Sequence, residues 1–232
     1  MRVNSRDLME AVLWDFDGTL IDTEPVWVSC EIEMLAEWSV PWTREQGYEL
    51  SGMNWKASTE ILRAHSLKHG FSYEGEDAEL YRDLVDRVVA HVADHELPWR
   101  PGVPQLLEEL SENGIPMAIV SASPRRLLDA GLARMPHVFD VVVDGSQVVH
   151  GKPDPEGYLL AAHRLGVEIS NSLVIEDSVS GSQAGYRAGA TVIAVPSVHP
   201  IEKSEQLTLI DSLEGVDLAA LTTLWHQGKD RR

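Results

Sequence analysis

Asp15 and Asp17 stand two residues apart in Trp14-Asp15-Phe16-Asp17-Gly18-Thr19, directly after the apolar run Ala11 to Trp14. Alternate residues of an extended chain project to the same side, so both carboxylates can face one way before Gly18 turns the backbone. Two acids so placed can divide the work of a reaction between a nucleophile and an acid/base. By itself Asp-x-Asp-Gly is also the composition of an ordinary turn. Other segments must decide between the two readings.

Three such segments follow. Ser121-Ala122-Ser123-Pro124 puts a hydroxyl after an apolar run and opens a helix, whose free amide groups and dipole favour an anion; Ser123 also reads as a plain helix cap. Gly151-Lys152-Pro153-Asp154-Pro155 holds a lysine between turn residues, restricting its backbone. Glu176-Asp177-Ser178 ends an apolar run with two acids, which is costly unless a cation or amide donors satisfy them.

The elements that must position these groups are legible in the hydrophobic pattern. Apolar runs at Ala11 to Trp14, Pro116 to Val120, Val138 to Val143, Leu173 to Ile175 and Thr191 to Val195 suit strands buried on both faces. Helical patterns lie between them, at Pro104 to Asn113, Ser123 to Gly131 and Pro155 to Gly166. Alternation of this kind predicts an α/β fold, a Rossmann-like doubly wound parallel sheet that binds ligands at the carboxyl ends of its strands. All four segments fall at such ends or in the loops after them.

The alternation breaks between residues 23 and 97, where helical stripes appear without buried strands. One is Trp27, Cys30, Met34 and Trp38 on a helix opened by Pro25; another is Leu80, Leu84, Val88 and Val92. The simplest organisation is a core of residues 1–22 and 98–232 with a helical domain, 23–97, inserted after the first strand. Pro98 to Gly102 forms the return hinge.

With 44% hydrophobic and 24% charged residues the composition is that of a globular chain, and the net charge of −18 opposes binding to nucleic acid or anionic membrane. An anionic small substrate would need a cation and a few basic groups to reverse the local field. The single cysteine, Cys30, excludes an intrachain disulfide, and a cytoplasmic protein is expected, monomeric or weakly self-associating.

In order and spacing the four segments resemble the motifs of the haloacid dehalogenase superfamily, in the branch with a helical cap between its first and second motifs. The resemblance spans about Val12 to Val195. It implies a phosphatase in which Asp15 is the nucleophile that becomes phosphorylated and Asp17 the acid/base. It implies Mg2+ held by the Asp15 carboxylate, the Asp17 carbonyl and Asp177, with Glu176 in support, and a phosphoryl group held by Ser121, the Ala122 amide and Lys152. A small phosphorylated metabolite is the implied partner, and the stretch Gly18 to Trp27 is similar to sugar-phosphate phosphatases of this branch. A cap closing over the site would leave Asn54 and Trp55 to recognise the leaving group.

Other chemistries fit less well. Dehalogenation does not call for Asp17 or the magnesium site, and phosphonate cleavage replaces the second aspartate. A scaffold without activity predicts a degraded motif, and none is degraded. A sugar phosphomutase resembling β-phosphoglucomutase shares the core motifs, but Trp55 and Lys56 stand where that family carries a phosphate-gripping arginine. Finally, His65 with His69 and His91 with His95 lie four apart on helical stretches; a zinc site is conceivable, rim histidines on amphipathic helices the plainer reading.

Overall fold

The computed structural model describes residues 9–135 and 139–231. It divides into two compact units, the first comprising Met1–Asp22 with Pro98–Arg232 and the second Thr23–Leu97.

The first unit is built on a six-stranded sheet. Its strands are β1 (Ala11–Trp14), β2 (Met117–Val120), β3 (Val141–Val143), β4 (Ser172–Glu176), β5 (Thr191–Ala194) and β6 (Thr208–Leu209), in the order β3-β2-β1-β4-β5-β6. All five pairings are parallel. The expected doubly wound sheet is therefore present. Helices α5 (Val103–Glu112), α6 (Arg125–Leu132), α7 (Glu156–Leu165), α8 (Val179–Ala188) and α9 (Leu218–Lys229) belong to the same unit. β1, β2, β4 and β5 are buried at every residue, which is why their sequences run apolar without alternation.

Strand ends depart from the sequence reading for identifiable reasons. Pro116 has no N–H for the ladder, so β2 begins one residue later, although the Pro116 carbonyl still accepts from Val12. β3 begins at Val141, just after Asp140 exchanges two bonds with Met117, its carboxylate taking the Met117 N–H and its own N–H reaching the Met117 carbonyl, both at 2.9 Å; Val138, where the run was expected to start, lies outside the described residues. β1 lies between β2 and β4, with Trp14 in register with both Ile119 and Ile175. This order brings the ends of three strands side by side.

The chain leaves the sheet through Asp22, whose N–H donates to the Pro98 carbonyl at 2.7 Å, so departure and return are tied together.

The second unit consists of α1 (Glu24–Glu37), α2 (Arg44–Glu49), α3 (Trp55–Lys68) and α4 (Asp77–Asp94). Leu80, Leu84, Val88 and Val92 are buried, as their spacing requires, whereas on α1 only Cys30 and Met34 of the expected stripe are buried. Trp27 and Trp38 are half-buried because α1 buries a broader face, including Val26, Val28, Glu31 and Leu35. Thr43 and Gln46 form a reciprocal capping box on α2. No described helix is long and apolar enough to cross a membrane.

Candidate active site

Asp15 immediately follows β1, and its N–H donates to the Ile175 carbonyl at 3.0 Å, extending the ladder by one rung. Ser121 does the same after β2, donating its N–H to the Val143 carbonyl at 3.0 Å. Glu176 closes β4, and Asp177 follows it. Sheet order therefore sets the Asp15 carboxylate between the Ser121 loop and the Glu176-Asp177 pair.

Lys152 reaches into this group from the loop before α7. Its ammonium donates to Asp15 Oδ1 at 2.5 Å, to Glu176 Oε1 at 2.6 Å and to the Val120 carbonyl at 2.8 Å. Three donors thus meet three acceptors in a buried setting. Burial alone would lower the Lys152 pKa, but the adjacent Asp15 and Glu176 carboxylates raise it above its ordinary value, so the ammonium stays charged. Glu176, with no exposed surface, also accepts from the Tyr158 hydroxyl at 2.7 Å and from Ser178 Oγ at 3.1 Å. The role of Glu176 is thereby sharpened: it fixes the lysine as well as adding charge beside Asp177.

The acids outnumber the base. Burial first, then the charges of Glu176 and Asp177, push Asp15 well above the usual carboxylate range, against the opposing pull of Lys152. Burial and the Glu176 charge push Asp177 up to about 7. Carboxylate oxygens of Asp15, Glu176 and Asp177 all lie within 4.8 Å of one another. When all three acids are ionised, as a bound cation would favour, they exceed the one ammonium by two negative charges, a donor set of hard oxygens suited to one divalent cation. Gly18 completes the cradle: its φ is +84°, and a Cβ there would come within 2.0 Å of Asp177 Oδ2. Across the sheet end, a Cβ on Gly181 would fall 1.8 Å from Glu176 Oε1, so α8 can approach the buried carboxylate only through glycine.

Asp17 sits at the other side of the cluster. The Ser123 hydroxyl donates to Asp17 Oδ2, and Ser121 Oγ lies 3.5 Å from the same oxygen. This corrects the expectation that Ser123 caps the following helix: the N-cap of α6 is Pro124, which makes no side-chain bond. A cavity of about 200 Å³ opens beside Ser121, Ala122 and Lys152, with Val148, His150 and Tyr158 among its other walls.

Asp15, Asp17, Ser121, Ala122, Lys152, Glu176 and Asp177 all belong to the first unit, where the contacts above tie them together. Asn54 and Trp55 belong to the second. There Asn54 Oδ1 accepts from the Ala57 N–H at 3.1 Å and caps α3. Trp55 stacks on Tyr81 with ring centroids 5.5 Å apart, and the Lys56 ammonium lies 5.5 Å from the Trp55 ring centre. The histidine pairs pack within themselves, His65 tilted against His69 with ring centroids 4.3 Å apart and His91 stacked on His95 at 4.0 Å. Ring nitrogens of His65, His69 and His95 bond to backbone carbonyls, and among the described residues neither pair belongs to a group of three or more potential metal ligands.

The sequence names no role for Tyr158, and it offers Ser123 only as a helix cap and Ser178 only as the end of an acidic segment, without their contacts to Asp17 and Glu176. A lone tyrosine inside a helix carries no signal of its own, whereas Ser-Ala-Ser at a strand end does show two hydroxyls that could reach one site.

The model of the haloacid dehalogenase-like hydrolase family matches residues 12–195. The phosphorylated carbohydrates phosphatase of Thermotoga maritima is 34% identical, over 78% of this chain and 82% of its own. The 6-phosphogluconate phosphatase of Escherichia coli is 31% identical, over 83% and 88%. A crystal structure of mutant CbbY from Rhodobacter sphaeroides with xylulose-(1,5)bisphosphate is 30% identical, with a TM-score of 0.80 over 92% of this chain and 99% of that one.

Proposed function

The chain belongs to the haloacid dehalogenase-like hydrolase family, and on that premise we propose that it hydrolyses small phosphate monoesters, sugar phosphates among them, through a phosphoryl group carried on Asp15. The observation that carries this reading is the buried Lys152 ammonium bridging Asp15 and Glu176, a fixed positive charge beside a strand-end carboxylate. Named activities of relatives in Thermotoga maritima and Escherichia coli support the substrate class.

Asp15 attacks phosphorus in line while the bond to the leaving oxygen breaks, and the Asp17 carboxyl gives that oxygen its proton. Water then attacks the aspartyl-phosphate, passing a proton to the Asp17 carboxylate, and phosphate departs with Asp15 restored. Ser121, the Ala122 amide and Lys152 hold the phosphoryl oxygens, over which the transition-state charge is spread. Mg2+ held by the Asp15 carboxylate, the Asp17 carbonyl and Asp177, with Glu176 behind them, would supply further neutralisation of that charge. The acidic chain thus meets an anionic substrate through a locally reversed field.

In the second unit, acting as a cap, Trp55 and Asn54 recognise the leaving group. Trp55→Ala is expected to reorder the preference among monoesters, and an unchanged ranking would contradict that role. A cytoplasmic location and a monomeric or weakly associating state complete the reading; the lone cysteine is buried Cys30.

A screen of phosphate monoesters run beside glucose 1-phosphate, with and without a hexose bisphosphate, tests the reaction type. Release of inorganic phosphate is expected. Bisphosphate-dependent conversion of glucose 1-phosphate to its 6-phosphate without phosphate release would instead establish the β-phosphoglucomutase-like alternative.

A further inference from the structure

We propose that Ser123 is the positioning residue of the acid/base Asp17, an inference that rests on the reaction assigned above. Ser123 stands where a helix cap is expected, yet α6 is capped from Pro124 without a side-chain bond, and the Ser123 hydroxyl donates to Asp17 Oδ2 instead. Its backbone N–H donates to Ser121 Oγ at 3.0 Å, and that oxygen lies 3.5 Å from the same Asp17 oxygen. The loop after β2 therefore closes on Asp17 through two hydroxyls and an amide.

The two hydroxyls differ in what else they must do. Ser121, buried at the end of β2, is committed to the phosphoryl oxygens, so its contact with Asp17 is exchanged when substrate enters. No phosphoryl contact is assigned to Ser123, whose hydrogen bonds run to Asp17 and Ser121. A hydroxyl donating to a carboxylate is among the stronger hydrogen bonds, and it fixes the rotation of the group that must meet the leaving oxygen. In the first half-reaction the Asp17 proton moves to the leaving oxygen as the phosphorus–oxygen bond breaks, and Asp17 becomes a carboxylate; Ser123 stays bonded to it and exchanges no proton. Losing the contact should impair proton delivery while leaving attack by Asp15 intact.

Leaving groups of different quality separate those effects. p-Nitrophenolate departs without protonation, whereas phenolate needs it. Rapid-quench rates of phosphoenzyme formation would be measured with p-nitrophenyl phosphate and phenyl phosphate for the wild type, Ser123→Ala and Asp17→Asn. Acid catalysis contributes roughly 10²–10⁴-fold, so displacing the acid should slow the phenyl phosphate reaction of Ser123→Ala about 10–100-fold and the p-nitrophenyl phosphate reaction less than about threefold. Asp17→Asn should show the same selectivity, more strongly. Equal losses on both esters in Ser123→Ala, or none, beside selective losses in Asp17→Asn would overturn the role of Ser123 alone. Absence of selectivity in Asp17→Asn would overturn the acid assignment and the positioning role together.

Discussion

Each unit buries carboxylates, one against an ammonium and the other against an indole, and the two donors oppose the effect of burial to different degrees. In the sheet unit Glu176, with no exposed surface, shares the Lys152 ammonium with Asp15 at 2.6 and 2.5 Å. In the helical unit Glu31 of α1 is 4% exposed and has as its partner the neutral Trp42 indole N–H, 3.0 Å from Oε2. Burial raises Glu31 to about 7, opposed by the Trp42 hydrogen bond and reinforced by the Glu24 charge. A full opposite charge pulls against the rise that burial causes, as Lys152 does for Asp15 without cancelling it, whereas Glu31 has only a neutral donor to oppose that rise. The sheet unit holds an ammonium among its buried acids, and the helical unit leaves one buried acid with a neutral donor alone.

Breaking the first arrangement should have the largest effect. Lys152→Ala leaves Asp15 and Glu176 buried without a counter-charge, and removing one partner of a buried pair costs about 3–5 kcal/mol. Denaturant unfolding would measure that loss, and turnover should fall at least about 10²-fold if Lys152 is the proposed donor to the phosphoryl oxygens. A near-wild-type rate would contradict the placement.

Glu31→Gln tests the other side. Because the folded pKa is raised, wild-type stability is fully present below about pH 4.5 and declines as pH rises through about 7, by up to roughly 3 kcal/mol. Glutamine keeps an acceptor for Trp42 but cannot ionise, so the variant should lose this decline and be the more stable protein at pH 8. Urea midpoints between pH 4 and 8 would show it; parallel profiles for both proteins would refute the buried-acid account. Gly181→Ala should have a smaller effect, about 1–3 kcal/mol, since its Cβ must displace the Glu176 carboxylate and the helix can yield a little. Reduced activity out of proportion to stability is expected there, because Glu176 orients Lys152.

Much of the sheet unit could be read from the chain. Fully buried parallel strands leave unbroken apolar runs, so β1 was located to the residue and β4 and β5 within one, while the chemistry-bearing residues stand where those runs stop. What escaped notice depends on contacts between distant segments. Tyr158 bonds Glu176 across 18 residues, and Ser123 bonds Asp17 across 106, neither of which periodicity can register. In the helical unit spacing located the α4 stripe but underestimated the buried face of α1, because α1 packs against both α2 and α4. Glu31 escaped for the same reason that it matters: an acid within an apolar stripe looks like the polar face until its neighbours are known.

The central claim is that Asp15 carries the phosphoryl group, and acid-quench trapping of labelled phosphoenzyme tests it most directly. Wild-type protein with a labelled monoester should yield an acid-stable, hydroxylamine-sensitive acyl phosphate at Asp15. Asp15→Asn should fold normally, trap no label and lose turnover. Retained turnover, or label recovered on another residue, would contradict it.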